Sequence, residues 1–132
     1  MKSRSLRIII ADDSSLLRER IKTMATAFPN VEVVGEAGNG KAALQLIGEM
    51  NPDLIILDIR LPDMTGIDVL KRIKESGSLA RVSMLTNYPF PQYEKRCLSE
   101  GADYFYDKNQ DLKRITDMIR DLAREHAGTR NE

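Results

Sequence analysis

The stretch from Val31 to Leu44 reads VEVVGEAGNGKAAL and passes from a strand-like run through a glycine-rich bend into a helix-like run. Its centre, GEAGNGKA (Gly35 to Ala42), fits the phosphate-loop pattern G-x-x-x-x-G-K, but has Ala42 where a Ser or Thr hydroxyl would hold magnesium. What this bend is decides the fold. As a phosphate loop it opens a small P-loop NTPase, with LIILD (54–58), an apolar strand ending in an acid, as the magnesium-binding strand. As a plain turn it is one strand-helix junction among several.

The pattern on either side shows how many such junctions there are. Five short apolar runs alternate with five stretches of helical period. LRIIIA (6–11) is followed by a helical face of Leu17, Ile21, Met24, Ala25 and Phe28, which Pro29-Asn30 is expected to end. VEVVGEA precedes a stripe of Ala43, Leu46, Ile47 and Met50, stopped by Asn51-Pro52-Asp53. LIILDI precedes Ile67, Leu70 and Ile73, with an end near Gly77, and ARVSMLT precedes a weaker helix from Pro91 to about Glu100. DYFYDK leads to Leu112, Ile115, Ile119 and Leu122, closing near Gly128. Strict alternation implies a single doubly wound α/β domain, a parallel five-stranded sheet with helices on both faces. The flavodoxin-like order 2-1-3-4-5 places its ligand crevice outside the carboxyl ends of the strands, at the switch between strands one and three.

Composition narrows the function classes. The 132 residues suit one domain, and 20 basic against 20 acidic residues give a net charge of zero with no basic block, so no direct nucleic-acid binding is expected. The apolar run after the basic amino terminus is stopped by Asp12 and Asp13, too short for a signal core or membrane span. A cytoplasmic protein without membrane contact is expected. The single Cys97 reads as a small apolar residue on a helix face, and His126 as a solvated residue of the polar end.

The strand ends carry the chemistry. Asp12 and Asp13 end the first strand, Asp58 the third and Thr86 the fourth, and Lys108 follows the fifth. Each alone is a plain cap or surface residue. Together, with strands one and three adjacent, they bring three carboxylates close enough to repel unless a cation joins them, and hard oxygen ligands suit Mg²⁺. A hydroxyl and an ammonium on the next two strands complete a pocket for a tetrahedral anion.

The motifs IIIADDSSLLRE, LIILDIRLPDMTGIDVL, MLTN and GADYFYDK resemble the receiver domain of two-component response regulators over roughly residues 5–125. The segment VEVVGEAGNGKAAL resembles receivers that often precede a LuxR-type DNA-binding domain; here a stand-alone or excised receiver at 1–128 with a polar tail at 129–132 is expected. The resemblance makes the GEAGNGKA bend a structural turn. It implies that Asp58 accepts a phosphoryl group from the phosphohistidine of a sensor histidine kinase or phosphotransfer protein, and that the chain is not an enzyme in its own right. It implies Mg²⁺ held by Asp13 and Asp58, by Asp12 mainly through water, and by the backbone carbonyl of Arg60. Lys108 would pair with Asp58 and then with the phosphoryl oxygens. Thr86 and Phe105 would form the switch, with Tyr104 and Tyr106 on the opposite face. Output to a downstream protein or to a second copy would use the fourth helix, fifth strand and fifth helix, or the first and fifth helices.

Several positions depart from the family pattern. Asn109 replaces the proline usual after the lysine, and a non-proline cis bond costs roughly 2.5–4 kcal/mol, which favours trans. Asn87 follows Thr86 where small residues predominate, narrowing access, and the two prolines of NYPFPQY should shorten or reshape the fourth helix. Arg60 and Tyr88 would flank the path of the water that hydrolyses the acyl phosphate. A pseudo-receiver, an interaction module locked in one state, is the competing reading; the complete Asp12, Asp13, Asp58, Thr86 and Lys108 set argues against it.

Overall fold

In the computed structural model, which describes residues 5–128, each apolar run becomes a strand of one sheet. The strands are β1 (Leu6–Ala11), β2 (Val31–Ala37), β3 (Leu54–Asp58), β4 (Arg81–Thr86) and β5 (Tyr104–Asp107). They alternate with α1 (Ser15–Ala25), α2 (Gly40–Met50), α3 (Gly66–Glu75), α4 (Pro91–Ser99) and α5 (Leu112–Gly128). The order is β2-β1-β3-β4-β5 and every pairing is parallel. The expected doubly wound, flavodoxin-like architecture is therefore the one observed. Residues 1–4 and the tail at 129–132 lie outside the described residues.

Successive residues of a strand face opposite sides of the sheet, so a strand covered on both faces must be apolar throughout. Leu6, Ile8 and Ile10 of β1 and Leu54 and Ile56 of β3 pack with Ile21 of α1 and Ile115, Ile119 and Leu122 of α5. Ile9, Ile55, Leu57, Val82 and Met84 point the other way, against Ala43 and Ile47 of α2, Leu70 and Ile73 of α3 and Cys97 of α4. Burial among these groups pushes the Cys97 thiol up to about 11, which leaves it a protonated, apolar filler.

Ser83 is the exception in these rows. It is fully buried in β4, and its hydroxyl has no hydrogen-bond partner among the described residues. An unpaired buried hydroxyl costs about 1–3 kcal/mol. Ser83→Ala removes that group at the expense of a very small void, so stability should rise by about 1 kcal/mol in denaturant unfolding. A lower midpoint would show that the hydroxyl is paired after all.

Local signals start and stop the helices. Ser14, Asn39 and Thr65 each accept a hydrogen bond from a first-turn N–H of α1, α2 and α3, at 3.2, 2.8 and 3.1 Å. Asn51 ends α2 in the left-handed region at φ 49°, directly before Pro52. Two expectations need correction. The first helix stops at Ala25, before Phe28, because the residue preceding Pro29 is disfavoured in the helical region. Phe28 still packs on the same core from the following turn. His126 is not in a free tail: it lies on α5, with Nε2 3.8 Å from Asp53 Oδ2. No helix among the described residues is long and apolar enough to cross a membrane.

Candidate functional site

Because β1 and β3 are neighbours, their carboxyl ends deliver Asp12, Asp13 and Asp58 to one place. One carboxylate oxygen from each lies within 4.8 Å of the others. Asp12 and Asp58 are buried, and Asp13 is exposed. The turn into α1 fixes Asp12, whose Oδ1 accepts the Ser14 N–H at 2.8 Å. Asp58 Oδ1 accepts the Arg60 N–H at 3.2 Å. From the far side, Lys108 places Nζ 2.6 Å from Asp12 Oδ2 and 3.0 Å from Asp58 Oδ2. Thr86 ends β4 with its side chain buried, and its hydroxyl oxygen accepts the Tyr88 N–H at 2.8 Å. The Thr86 carbonyl accepts the Lys108 N–H at 2.9 Å, tying the ends of β4 and β5 together.

The electrostatics are those of a site short of positive charge. Burial, and after it the negative charge of Asp12, raises the Asp58 carboxyl above the ordinary aspartate value, with Lys108 opposing. Burial alone pulls the Lys108 ammonium down, but hydrogen bonds to Asp12 and Asp58 outweigh it and the net direction is up. Lys108 thus stays protonated and offsets part of the repulsion. One ammonium among three carboxylates leaves a negative, oxygen-only donor set, which fits a hard divalent cation such as Mg²⁺.

Other residues singled out in the sequence fall around this centre. Arg60 stacks its guanidinium 4.4 Å from the centroid of the Tyr88 ring, linking the segments that follow β3 and β4. Tyr88 continues to Phe90 at 6.4 Å and Phe90 to Tyr93 at 5.7 Å between ring centroids. Phe105 is half-buried against the α2–α3–α4 side of the core, while Tyr104 and Tyr106 stack on the opposite side, 6.1 Å apart. No cis peptide occurs among the described residues, so Lys108–Asn109 is trans. Asn87 is exposed and lines a crevice of about 220 Å³ with Leu16, Leu17, Lys108 and Asn109. α4 is shorter than the other helices, with Pro91 in its first turn and no side-chain cap.

The GEAGNGKA bend is not open to a phosphate. The first N–H groups of α2, from Gly40 and Lys41, donate to Asp63 Oδ1 and Oδ2 at 2.7 and 2.9 Å. Gly40 lacks a side chain for packing reasons, since a Cβ there would collide with Met64. The anion site expected at a helix N-terminus is filled by the protein's own carboxylate. Sequence reasoning missed Asp63, and it also missed Arg18, which donates to the Asp12 carbonyl and pairs with Glu36. Neither residue carries a local sign of its role, because Asp63 is met by the first turn of α2 and Arg18 by Glu36 of β2, both distant in sequence.

Comparison with known proteins agrees with this geometry. The family model for the response regulator receiver domain matches residues 8–120. The chain is 31% identical to the response regulator protein VraR of Staphylococcus aureus over 91% of its own length and 57% of VraR. It is 37% identical over 61% of its length to a protein-glutamate methylesterase/protein-glutamine glutaminase of Nocardioides, of which it spans 22%. The chain therefore spans just over half of the first relative and less than a quarter of the second. The signal receiver domain of the response regulator NarL from Mycobacterium tuberculosis superimposes with a TM-score of 0.84, at 32% identity, over 91% of this chain and 97% of that one. A matching family model over most of the chain, a parallel 2-1-3-4-5 sheet and the acidic cluster at its switch point converge on one conclusion: this protein belongs to the response regulator receiver domain family.

Proposed function

We propose that this receiver accepts a phosphoryl group on Asp58 from the phosphohistidine of a sensor histidine kinase or phosphotransfer protein. An Asp58 carboxylate oxygen attacks phosphorus, the N–P bond breaks, and the imidazole leaves with the electron pair and takes up a proton. Asp13 and Asp58 would hold Mg²⁺ directly, with Asp12 acting mainly through water and the Arg60 carbonyl completing the protein ligands. The bound ion supplies neutralisation of the charge that develops on the transferring group. Lys108, held between Asp12 and Asp58, exchanges a carboxylate oxygen for the phosphoryl oxygens. The Thr86 hydroxyl already accepts from Tyr88 and keeps its one proton free to donate to the phosphoryl group.

That contact exists only with phosphate present, so it biases β4 and the following loop toward a second arrangement in which Phe105 turns inward. Output passes to a downstream protein or a second copy through α4, β5 and α5, or through α1 and α5. The unit is residues 1–128, acts in the cytoplasm without touching nucleic acid or membrane, and assists its own phosphotransfer and dephosphorylation rather than turning over a separate substrate. The observation that carries this reading is the buried Asp58 carboxylate, flanked by two further carboxylates and bridged by Lys108. Incubation with Mg²⁺ and a small phosphoryl donor should add one phosphoryl group by intact mass, and chelation should prevent it. No gain under either condition would instead support the locked pseudo-receiver.

The Arg60–Tyr88 stack bears on how long the signal lasts. Arginine has no acceptor and tyrosine presents mostly bulk, so neither orients a water for in-line attack. Stacked on each other, they shield the path by which that water arrives. Arg60→Asn with Tyr88→Glu should speed decay of the phosphorylated protein about tenfold, a barrier change of about 1.4 kcal/mol. Equal decay rates after donor removal would refute the shielding.

A further inference from the structure

We infer that Asp63 is a positioning residue for the metal site: it clamps the β3–α3 loop to the N-terminus of α2 and thereby aims the Arg60 carbonyl. The inference rests on the reading of Asp12, Asp13, Asp58 and the Arg60 carbonyl as Mg²⁺ ligands. The loop runs from Ile59 to Thr65. Its two ends are fixed by an antiparallel bridge between Arg60 and Thr65 and by the Gly66 N–H, which donates to the Ile59 carbonyl at 2.6 Å. Gly66 lies so close beneath the Asp58 carbonyl that a Cβ there would collide with it. Between these ends runs the apex, Leu61 to Met64, in which Leu61 and Met64 are half-buried against the core and Pro62 and Asp63 are exposed.

Asp63 ties this apex to α2. Both its carboxylate oxygens accept N–H groups of α2, from Gly40 at 2.7 Å and Lys41 at 2.9 Å. These first-turn donors have no partner inside the helix and carry the positive end of its dipole, so a carboxylate is the ligand they favour. The hydrogen bonds from Gly40, then Lys41, hold the Asp63 carboxyl below its ordinary value, so it stays charged at neutral pH. Met64 seats against Gly40 and makes the joint two-sided. α2 is a firm anchor because Ala43 and Ile47 are buried in the core. Arg60 lies three residues before Asp63 on the same short loop, so fixing the apex limits the directions its carbonyl can take before any ion arrives. Groups that orient a metal ligand without touching the metal commonly change affinity by about 10–100-fold. A backbone ligand braced at a distance sits at the low end of that range.

The test uses wild type, Asp63→Ala and Asp63→Asn, with Mg²⁺ affinity by calorimetry and the Mg²⁺ dependence of phosphorylation by a small donor. Asp63→Ala should raise the half-saturating Mg²⁺ concentration roughly tenfold, with a smaller change in the rate at saturation. Asp63→Asn should fall between the two, since its amide oxygen can accept one of the two N–H bonds. The amide resonances of Gly40 and Lys41 should move in both variants, reporting loss of the clamp directly. A half-saturating Mg²⁺ concentration unchanged in Asp63→Ala, with those resonances moved, would overturn the inference and leave Asp63 a helix cap only. A wild type that binds no Mg²⁺ would overturn the metal reading and this inference together.

Discussion

Asp58→Asn should take up no phosphoryl group from a donor that modifies the wild type fully. The amide is nearly isosteric with the carboxylate, so the variant isolates the nucleophile from the fold. Intact mass after incubation with donor and Mg²⁺ is the measurement, and modification at the wild-type rate would move the acceptor to another residue. The same variant should melt higher than wild type when no metal is bound. Burial, then the charge of Asp12, raises the Asp58 carboxyl in the folded protein. A folded-state value above the unfolded one means the native state binds that proton more tightly, so stability is lost as pH rises from the ordinary aspartate range through the raised value. An amide at position 58 carries no charge to desolvate, and Lys108 keeps Asp12 at 2.6 Å as its partner. The advantage should shrink at acid pH, where Asp58 is protonated in the wild type. It should shrink or reverse in saturating Mg²⁺, which stabilises only the protein that binds it.

Asp13→Ala should lower Mg²⁺ affinity on the order of a hundredfold, because it removes a charged oxygen of the proposed ligand set and leaves the rest of the site standing. Near a protein surface, two unit charges about 4 Å apart interact by up to about 4 kcal/mol, enough for a loss of that size. Asp13 is exposed, and it makes no ion pair among those found in the described residues. Its removal should therefore leave the melting temperature of the metal-free protein nearly unchanged. This separates Asp13 from Asp12, which is buried and paired with Lys108, and whose removal would strand the ammonium. The chain has no tryptophan, so calorimetry or NMR suits the titration better than intrinsic fluorescence. Unchanged affinity would take Asp13 out of the ligand set.

The alternation of elements was legible because it is written in local periods. LIILD must be covered on both faces, since both of its side-chain rows are apolar, and it is buried throughout. The residues that end the strands were legible for a related reason: once the sheet is parallel, its carboxyl ends share one edge, and the Asp12, Asp13, Asp58, Thr86 and Lys108 side chains have nowhere else to gather. The end of α1 was misjudged because Phe28 keeps its place on the core without being helical. Hydrophobic spacing records burial, and the backbone can deliver a buried ring from a turn as well as from a helix.

The sequence by itself determined the five strand-helix units and the acidic strand ends, because periodicity and motif spacing are properties of neighbouring residues; the choice of a turn over a phosphate loop came from the family resemblance of the motifs. Tertiary structure alone decided which groups satisfy one another. Lys108, whose pairing with Asp58 the resemblance implied, also reaches Asp12, Asp63 fills the α2 N-terminus, and Arg60 lies on Tyr88. These contacts join residues 22 to 96 positions apart, the span from Lys41–Asp63 to Asp12–Lys108. At such separations no local pattern records the pairing; it is set by which strands lie side by side and by the requirement that every buried charge and helix-end N–H find a partner.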